Sequence, residues 1–299
     1  MSRSLAIVGP TASGKSALAL AVADRTEAEI VSIDSMQVYR GMDIGTASPS
    51  PEDRAAITHH MVDVLDPGDE CTVGAFQRRA LGVLDDLDRR GVPAVLVGGT
   101  GLYVRAVVDR LEIPGRFPDV RADLETATTD ELHRRLLVAD PDAAARIEPG
   151  NRRRLLRALE VTLGSGRPFS ASGPGMDRYP PAPFPLYGLR VPRDVLDQRI
   201  EARFRDQIDA GLLEEVDALA SVSLSRTAAH ALGYQELLAH RRGEVTLEDA
   251  IDRAVHRIRR FARRQDRWFR RDPRIQWIDV KDNPLAALDT VLPDFPSCS

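Results

Sequence analysis

The residues Gly9-Pro-Thr-Ala-Ser-Gly-Lys-Ser16 satisfy G-x-x-x-x-G-K-[ST] at every fixed position. Such a loop curls so that successive N–H groups and the N-terminus of the following helix point at phosphate oxygens, and Gly9 and Gly14 permit the curl. Pro10, Thr11, Ala12 and Ser13 form its body, Lys15 adds a point charge, and Ser16 supplies a hydroxyl suited to Mg2+. Of the 41 basic residues only Lys15 and Lys281 are lysine, so a lysine at this slot does not come from a lysine-rich chain. The motif implies a bound diphosphate or nucleotide, ATP included. It leaves the chemistry open among kinases, ATPases and transferases that expel diphosphate. Asp34 is the second candidate: it follows the apolar run Ile30–Ile33, and a carboxylate at a strand end near a phosphate loop either holds Mg2+ or acts as a general base.

These residues need a scaffold that brings loop ends together. Apolar, β-branched runs at Leu5–Val8, Ile30–Ile33 and Val92–Val97 are each followed by Gly, Asp or Ser, with helical patterns between them. That rhythm predicts an α/β fold with a parallel sheet, whose ligands gather at the carboxyl ends of the strands. Gly9–Ser16, Asp34–Gln37 and Gly98–Gly101 are then expected to face one cleft. From 111 to 185 the pattern changes: Pro114, Pro118, Pro141 and Pro149 punctuate short amphipathic helices, and the end of the segment is rich in Gly, Pro and Ser. We expect a P-loop NTPase-like core from 1–110 and 186–299, with a mainly helical insertion over 111–185. Leu186–Val191 reads as a strand returning to the sheet, followed by helices around Val195–Ala220 and Thr246–Arg271.

The composition sets the remaining bounds. A chain of 299 residues with 43% hydrophobic content can bury a full core, and no run approaches the roughly 18 apolar residues of a membrane span. The N-terminal apolar run leads into the glycine loop and not into a cleavable small-residue stretch, which implies a cytoplasmic protein. Cys71 and Cys298 have neither disulfide nor zinc spacing, and adjacent His59 and His60 are badly placed to chelate one metal. The net charge of −4 conceals a strong asymmetry: residues 1–110 hold 11 basic and 15 acidic groups, whereas residues 253–274 hold ten arginines against Asp266 and Asp272. Arg253, Arg257, Arg260, Arg264, Arg267 and Arg271 recur at spacings of four and three, which puts them on one helix face, with Ile251, Val255, Ile258, Phe261 and Phe269 opposite. A face of that kind is either a solvated surface or a polyanion-binding stripe.

The stretch Asp34-Ser-Met-Gln-Val-Tyr-Arg-Gly-Met-Asp-Ile-Gly-Thr46, following the phosphate loop, closely resembles the tRNA dimethylallyltransferase family. His59-His60-Met-Val-Asp63, Val97-Gly-Gly-Thr-Gly-Leu-Tyr103, Arg154-Leu-Leu-Arg-Ala-Leu-Glu-Val161, Leu232-Gly-Tyr-Gln-Glu236 and Arg263-Arg-Gln-Asp-Arg-Trp-Phe-Arg270 resemble further family blocks, in family order. The chain departs from the family at Ile258, where Thr is usual, and at Arg263, where Lys is common. The resemblance implies Mg2+-dependent transfer of a dimethylallyl group from dimethylallyl diphosphate to the exocyclic amine of the adenosine 3′ of a tRNA anticodon. It implies Asp34 as general base and Thr100 as a contact to the target base, with Lys15 and Ser16 at the leaving diphosphate. It also implies tRNA anticodon stem-loop contacts at Asp34, Ser35, Met36, Gln37, Thr100, Arg121, Arg153, Arg154, Leu155, Leu156 and Arg157. Arg259 is a further candidate for the diphosphate. Two other functions fit parts of the sequence: a small-molecule kinase that uses ATP, and a non-catalytic RNA-binding protein. No obligate protein partner is evident.

Overall fold

A computed structural model of the chain describes residues 4–173, 175 and 178–295; Cys298 lies outside the described residues. Six parallel strands form one sheet: β1 Ser4–Val8, β2 Glu29–Ser32, β3 His59–His60, β4 Ala94–Gly98, β5 Leu186–Arg190 and β6 Ile275–Asp279, in the spatial order β3-β2-β4-β1-β5-β6. The central register pairs Ser4 with Ala94 through Val8 with Gly98, which brings the ends of β1 and β4 level. The two edge strands escape the sequence pattern for different reasons. β3 is only two residues long, and β6 is half exposed and mixes Gln276 and Asp279 with Ile275, Trp277 and Ile278.

Both faces of the sheet are covered, as the continuous apolar strands require. Side chains alternate across a strand, so Leu5 and Ile7 face a core shared with Leu18, Val22 and Val291, while Ala6 and Val8 face a second core shared with Leu84, Val104 and Ile258. The helix Lys15–Thr26 and the C-terminal segment Leu288–Val291 close the first face. The helices Val73–Arg90, Gly101–Val108, Arg193–Asp209 and Leu247–Phe269 contribute to the second. Gly211, at φ +102, ends the helical run that starts at Arg193, and a separate helix Leu212–Ala220 follows. Near the sheet the Asp109 carboxylate, almost fully buried, pairs with Arg105 and with Arg274 at 2.6 Å, and Arg274 also holds Asp272 at 2.6 Å.

The chain divides into two compact units, Met1–Asp109 with Pro181–Ser299, and Arg110–Pro180. Phe184 belongs with the first because its side chain is buried in the sheet core. The second unit is helical: Pro118–Glu125, Thr129–Ala139, Pro141–Arg146 and Arg152–Ser165 surround Leu124, Leu132, Leu136, Leu155 and Leu159. Its breaks follow helix-start chemistry. Pro118 and Pro141 occupy first helical positions, where a missing N–H costs nothing. Thr128, Asp140 and Asn151 accept hydrogen bonds from the N–H groups of Glu131, Ala143 and Arg154.

Candidate active site

The phosphate loop joins the end of β1 to the helix Lys15–Thr26. Its backbone turns through Ala12 at φ +63 and Gly14 at φ +90, so the chain enters the helix with the N–H groups of Lys15, Ser16 and Ala17 unsatisfied within the helix. These donors, at the positive end of the helix dipole, form a ready anion site. Lys15 is half-buried, and its Nζ donates to Pro10 O at 3.4 Å. Desolvation lowers its pKa to about 8; the Asp34 carboxylate opposes the shift, and the Arg203 guanidinium adds to it. The Ser13 hydroxyl is fully buried and has no hydrogen-bond partner among the described residues, a polar atom left over inside the loop.

Asp34 lies two residues past β2. Its Oδ1 accepts from the Met36 N–H at 2.9 Å, which orients the carboxylate and leaves Oδ2 without a protein partner among the described residues. Beside it, the Ser35 and Thr100 hydroxyls lie 3.4 Å apart and tie the ends of β2 and β4 together. Gln37 is held from both sides: its Oε1 accepts from Ser32 at 2.7 Å and its Nε2 donates to Ala47 O at 2.9 Å. Met36 and Gln37 are half-buried.

Two residues complete this center that the sequence reading did not single out. Arg203, from the helix Arg193–Asp209, donates to the Thr11 hydroxyl at 2.5 Å; its desolvation lowers its pKa, against the pull of Asp34. Lys15, Arg203 and Asp34 thus make one charge cluster at the strand ends, with two cations and one carboxylate. Gln265, from the helix Leu247–Phe269, accepts from the Thr11 N–H at 2.9 Å and donates to Gly99 O at 2.8 Å. The helix comes this close because Gly99 and Gly101 lack side chains. A methyl group at Gly99 would overlap the Gln265 amide, and one at Gly101 would overlap the Trp268 indole. Both residues had a signal in the pattern: Gln265 is the polar member of the buried seam Ile251, Ala254, Ile258, Ala262 and Phe269, and Arg203 adjoins buried Ile200 and Phe204.

The arginines separate into engaged and free groups. On the long helix, Arg253, Arg260, Arg264 and Arg267 are exposed, as is Arg271 just beyond its end, and none of the five forms an ion pair among the described residues. Arg257 differs, being bound to Glu236 at 2.9 Å and to Gln235. Phe261 is only half-buried, contrary to the expected apolar face, and Arg264 lies over its ring at 5.6 Å. Arg259 does not point toward the phosphate loop as a free cation: it donates to Asp197 O at 3.1 Å and pairs with Glu201 at 2.7 Å. In the helical unit Arg153 and Arg154 are exposed and unpaired among the described residues. Arg121 and Arg157 both hold Glu160, a nearly fully buried carboxylate, at 3.3 and 3.0 Å. Leu155 and Leu156, expected among the RNA contacts, pack their side chains in the core of the helical unit, because they occupy the inward face of Arg152–Ser165.

Comparison with known proteins decides the family. A family model described as IPP transferase matches residues 37–272, and one described as isopentenyl transferase matches residues 3–63. The tRNA dimethylallyltransferase of Streptomyces coelicolor is 48% identical over 301 residues, covering 97% of this chain and 96% of the relative. The chain belongs to the tRNA dimethylallyltransferase family. The Thermobifida fusca family member is likewise 48% identical, over 93% of this chain and 90% of its own length. The solved tRNA isopentenylpyrophosphate transferase of Bacillus halodurans superposes with a TM-score of 0.71 at 36% identity, covering 97% of this chain and 94% of its own. A eukaryotic dimethylallyltransferase, solved acting on tRNA, gives 0.79 at 26% identity over 96% of this chain and 76% of that one. The fold is the phosphate-loop α/β fold of these transferases. No helix among the described residues is long and apolar enough to cross a membrane.

Proposed function

We propose that the chain transfers a dimethylallyl group from dimethylallyl diphosphate to the exocyclic amine of the adenosine 3′ of the anticodon in tRNA, releasing diphosphate in the cytoplasm. The charge cluster of Lys15, Arg203 and Asp34 carries the reading, because it sets an anion site and a carboxylate with a free oxygen side by side. The phosphate loop holds the diphosphate as a leaving group, so no phosphoryl group moves. As the C–O bond breaks, its electron pair goes to the diphosphate oxygen. Lys15, Arg203 and the first-turn N–H groups stabilize the charge that develops there. The amine nitrogen forms the new C–N bond and gives its proton to Asp34. Thr100, Ser35, Met36 and Gln37 line the strand ends where the base sits. A base reaches this depth only by leaving its stack, which an anticodon loop allows at small cost.

Mg2+ prefers a few protein oxygens completed by phosphate oxygens and water. The exposed Ser16 hydroxyl at the helix start is a donor of that kind, so the loop fits the ion. Bound there, Mg2+ would add to the neutralization of the leaving diphosphate.

The RNA backbone meets free arginines. Arg260, Arg264, Arg267 and Arg271 offer a phosphate-binding stripe, and Arg153 and Arg154 offer a second cationic patch. Arg121 and Arg157 reach RNA as a pair aimed by Glu160. The deciding experiment incubates the protein with total tRNA, Mg2+ and dimethylallyl diphosphate, with ATP in a parallel tube, and analyzes the nucleosides by mass spectrometry. A new prenylated adenosine in the diphosphate tube alone is the expected result. ATP consumption without a prenylated product would overturn the reading in favor of a kinase.

A further inference from the structure

Gln265 lies in the buried seam of the helix Leu247–Phe269, 6% exposed, among residues that are otherwise apolar. Both ends of its amide are used, on two different loops: the Thr11 N–H in the phosphate loop and the Gly99 carbonyl that precedes Thr100. The orientation of the amide is fixed by its partners, since a backbone N–H can only donate and a carbonyl can only accept. We propose that Gln265 is a positioning residue for the transfer reaction: it sets the distance and angle between the loop that holds the leaving group and the loop that holds Thr100 against the acceptor base. The inference rests on the transferase reading given above.

The chemistry of the two partners dictates the residue type. The bridge must accept at one end, donate at the other and carry no charge, and it must span from the helix to both loops. Asparagine is one methylene shorter, leucine offers neither function, and ionized glutamate accepts at both ends. Burial also protects the bridge from competition by water, so the two loops are held by bonds worth more than the same bonds at the surface. The bridge removes the Thr11 N–H from the donors available to a bound anion, leaving the first-turn N–H groups, Lys15 and Arg203 for that work. Displacement at carbon needs the attacking nitrogen and the departing oxygen in line. A shift of about 1 Å between the two loops is expected to cost on the order of a hundredfold in turnover, with the separate substrate contacts left intact.

The test compares wild type, Gln265→Leu and Gln265→Glu in steady-state transfer from dimethylallyl diphosphate to an anticodon stem-loop between pH 6 and 8.5, with Thr11 amide exchange followed by NMR. At pH 8.5 both variants should lose roughly tenfold to a hundredfold in kcat, with both KM values within about threefold of wild type. Burial raises the pKa of a carboxyl group, so toward pH 6 the glutamate variant becomes a neutral acid that accepts from Thr11 and donates to Gly99. Its kcat relative to wild type should therefore climb as pH falls, while the leucine ratio stays flat. Taking ratios to wild type cancels the Lys15 titration that the proteins share. A packing role alone would lower the melting temperature without moving the glutamate ratio with pH. Unchanged kcat in both variants, or a flat glutamate ratio, overturns the proposal. Thr11 exchange is read without any substrate: acceleration in Gln265→Leu establishes the bridge, and unchanged exchange refutes it. A wild type that never transfers the group defeats the transferase reading, and the exchange result remains separately legible.

Discussion

Lys15 gives the anion site a pH dependence that can be worked out in advance. With its pKa lowered to about 8 by desolvation, against the pull of Asp34, the side chain is about 90% charged at pH 7 and about 10% charged at pH 9. If the charged form is the one that binds diphosphate, the apparent Kd for inorganic diphosphate should rise about tenfold over that interval, about 1.4 kcal/mol. The sign follows from the direction of the shift: raising pH through the lowered pKa removes the positive charge, so affinity is full below the window and lost above it. Isothermal titration of diphosphate at pH 7, 8 and 9 measures this directly. Diphosphate itself also titrates, so the control is Lys15→Arg, which keeps its charge throughout and reports only the ligand. The difference between the two curves belongs to Lys15. Parallel curves between pH 7 and 9, as a lysine titrating at its ordinary value would give, would refute a desolvated lysine at the phosphate loop.

Asp34→Asn keeps the Oδ1 acceptor for the Met36 N–H but removes the base, so transfer should fall by about 10²–10⁴-fold with diphosphate and RNA affinities within a few-fold; unchanged turnover in a single-turnover assay would eliminate the general-base role. Replacing Arg260, Arg264 and Arg267 together by Gln should reduce the slope of log K against log salt for tRNA binding by about 2–3, at roughly 0.7–0.9 per lost phosphate contact; filter binding over a salt series that gives the wild-type slope would take the helix out of the interface. Asp109→Asn removes the charge of the buried carboxylate that pairs with Arg105 and Arg274, which should cost about 3–5 kcal/mol and lower Tm by roughly 6–20 °C; a calorimetric scan matching wild type would show that these pairs contribute no net stability.

The strands that place the chemistry were legible because a parallel sheet buried on both faces writes itself as apolar runs, and Leu5–Val8, Ile30–Ile33 and Val92–Val97 are such runs. β6 was not, because an edge strand with a solvated face can carry Gln276 and Asp279. The fate of each arginine was also beyond periodicity. Spacing put Arg257 on the stripe, yet its partner Glu236 comes from a different helix, and the same is true of Arg259 and Glu201. The burial of Leu155 and Leu156 was hidden for a related reason: a motif carries inward and outward residues side by side, and here the 3.6-residue period sends both leucine side chains into the core while Arg153 and Arg154 stay outside. Gln265 and Arg203 act across more than 160 residues of sequence, so spacing marks their faces but cannot name Thr11 or Gly99 as their partners.

The helix Leu247–Phe269 explains why the charge asymmetry and the glycine turn occur in one chain. Its outer face presents Arg253, Arg260, Arg264 and Arg267 without counter-charges among the described residues, and its inner face brings Gln265 and Trp268 against Gly99 and Gly101. A side chain larger than hydrogen at either glycine would push the helix out, breaking the Thr11 bridge and moving the arginines together, so the two glycines and the stripe are parts of one arrangement. The opposite arrangement, a free-standing basic helix, would bind RNA without registering the phosphate loop. In that case neither Gly99 nor Gly101 would need to be small.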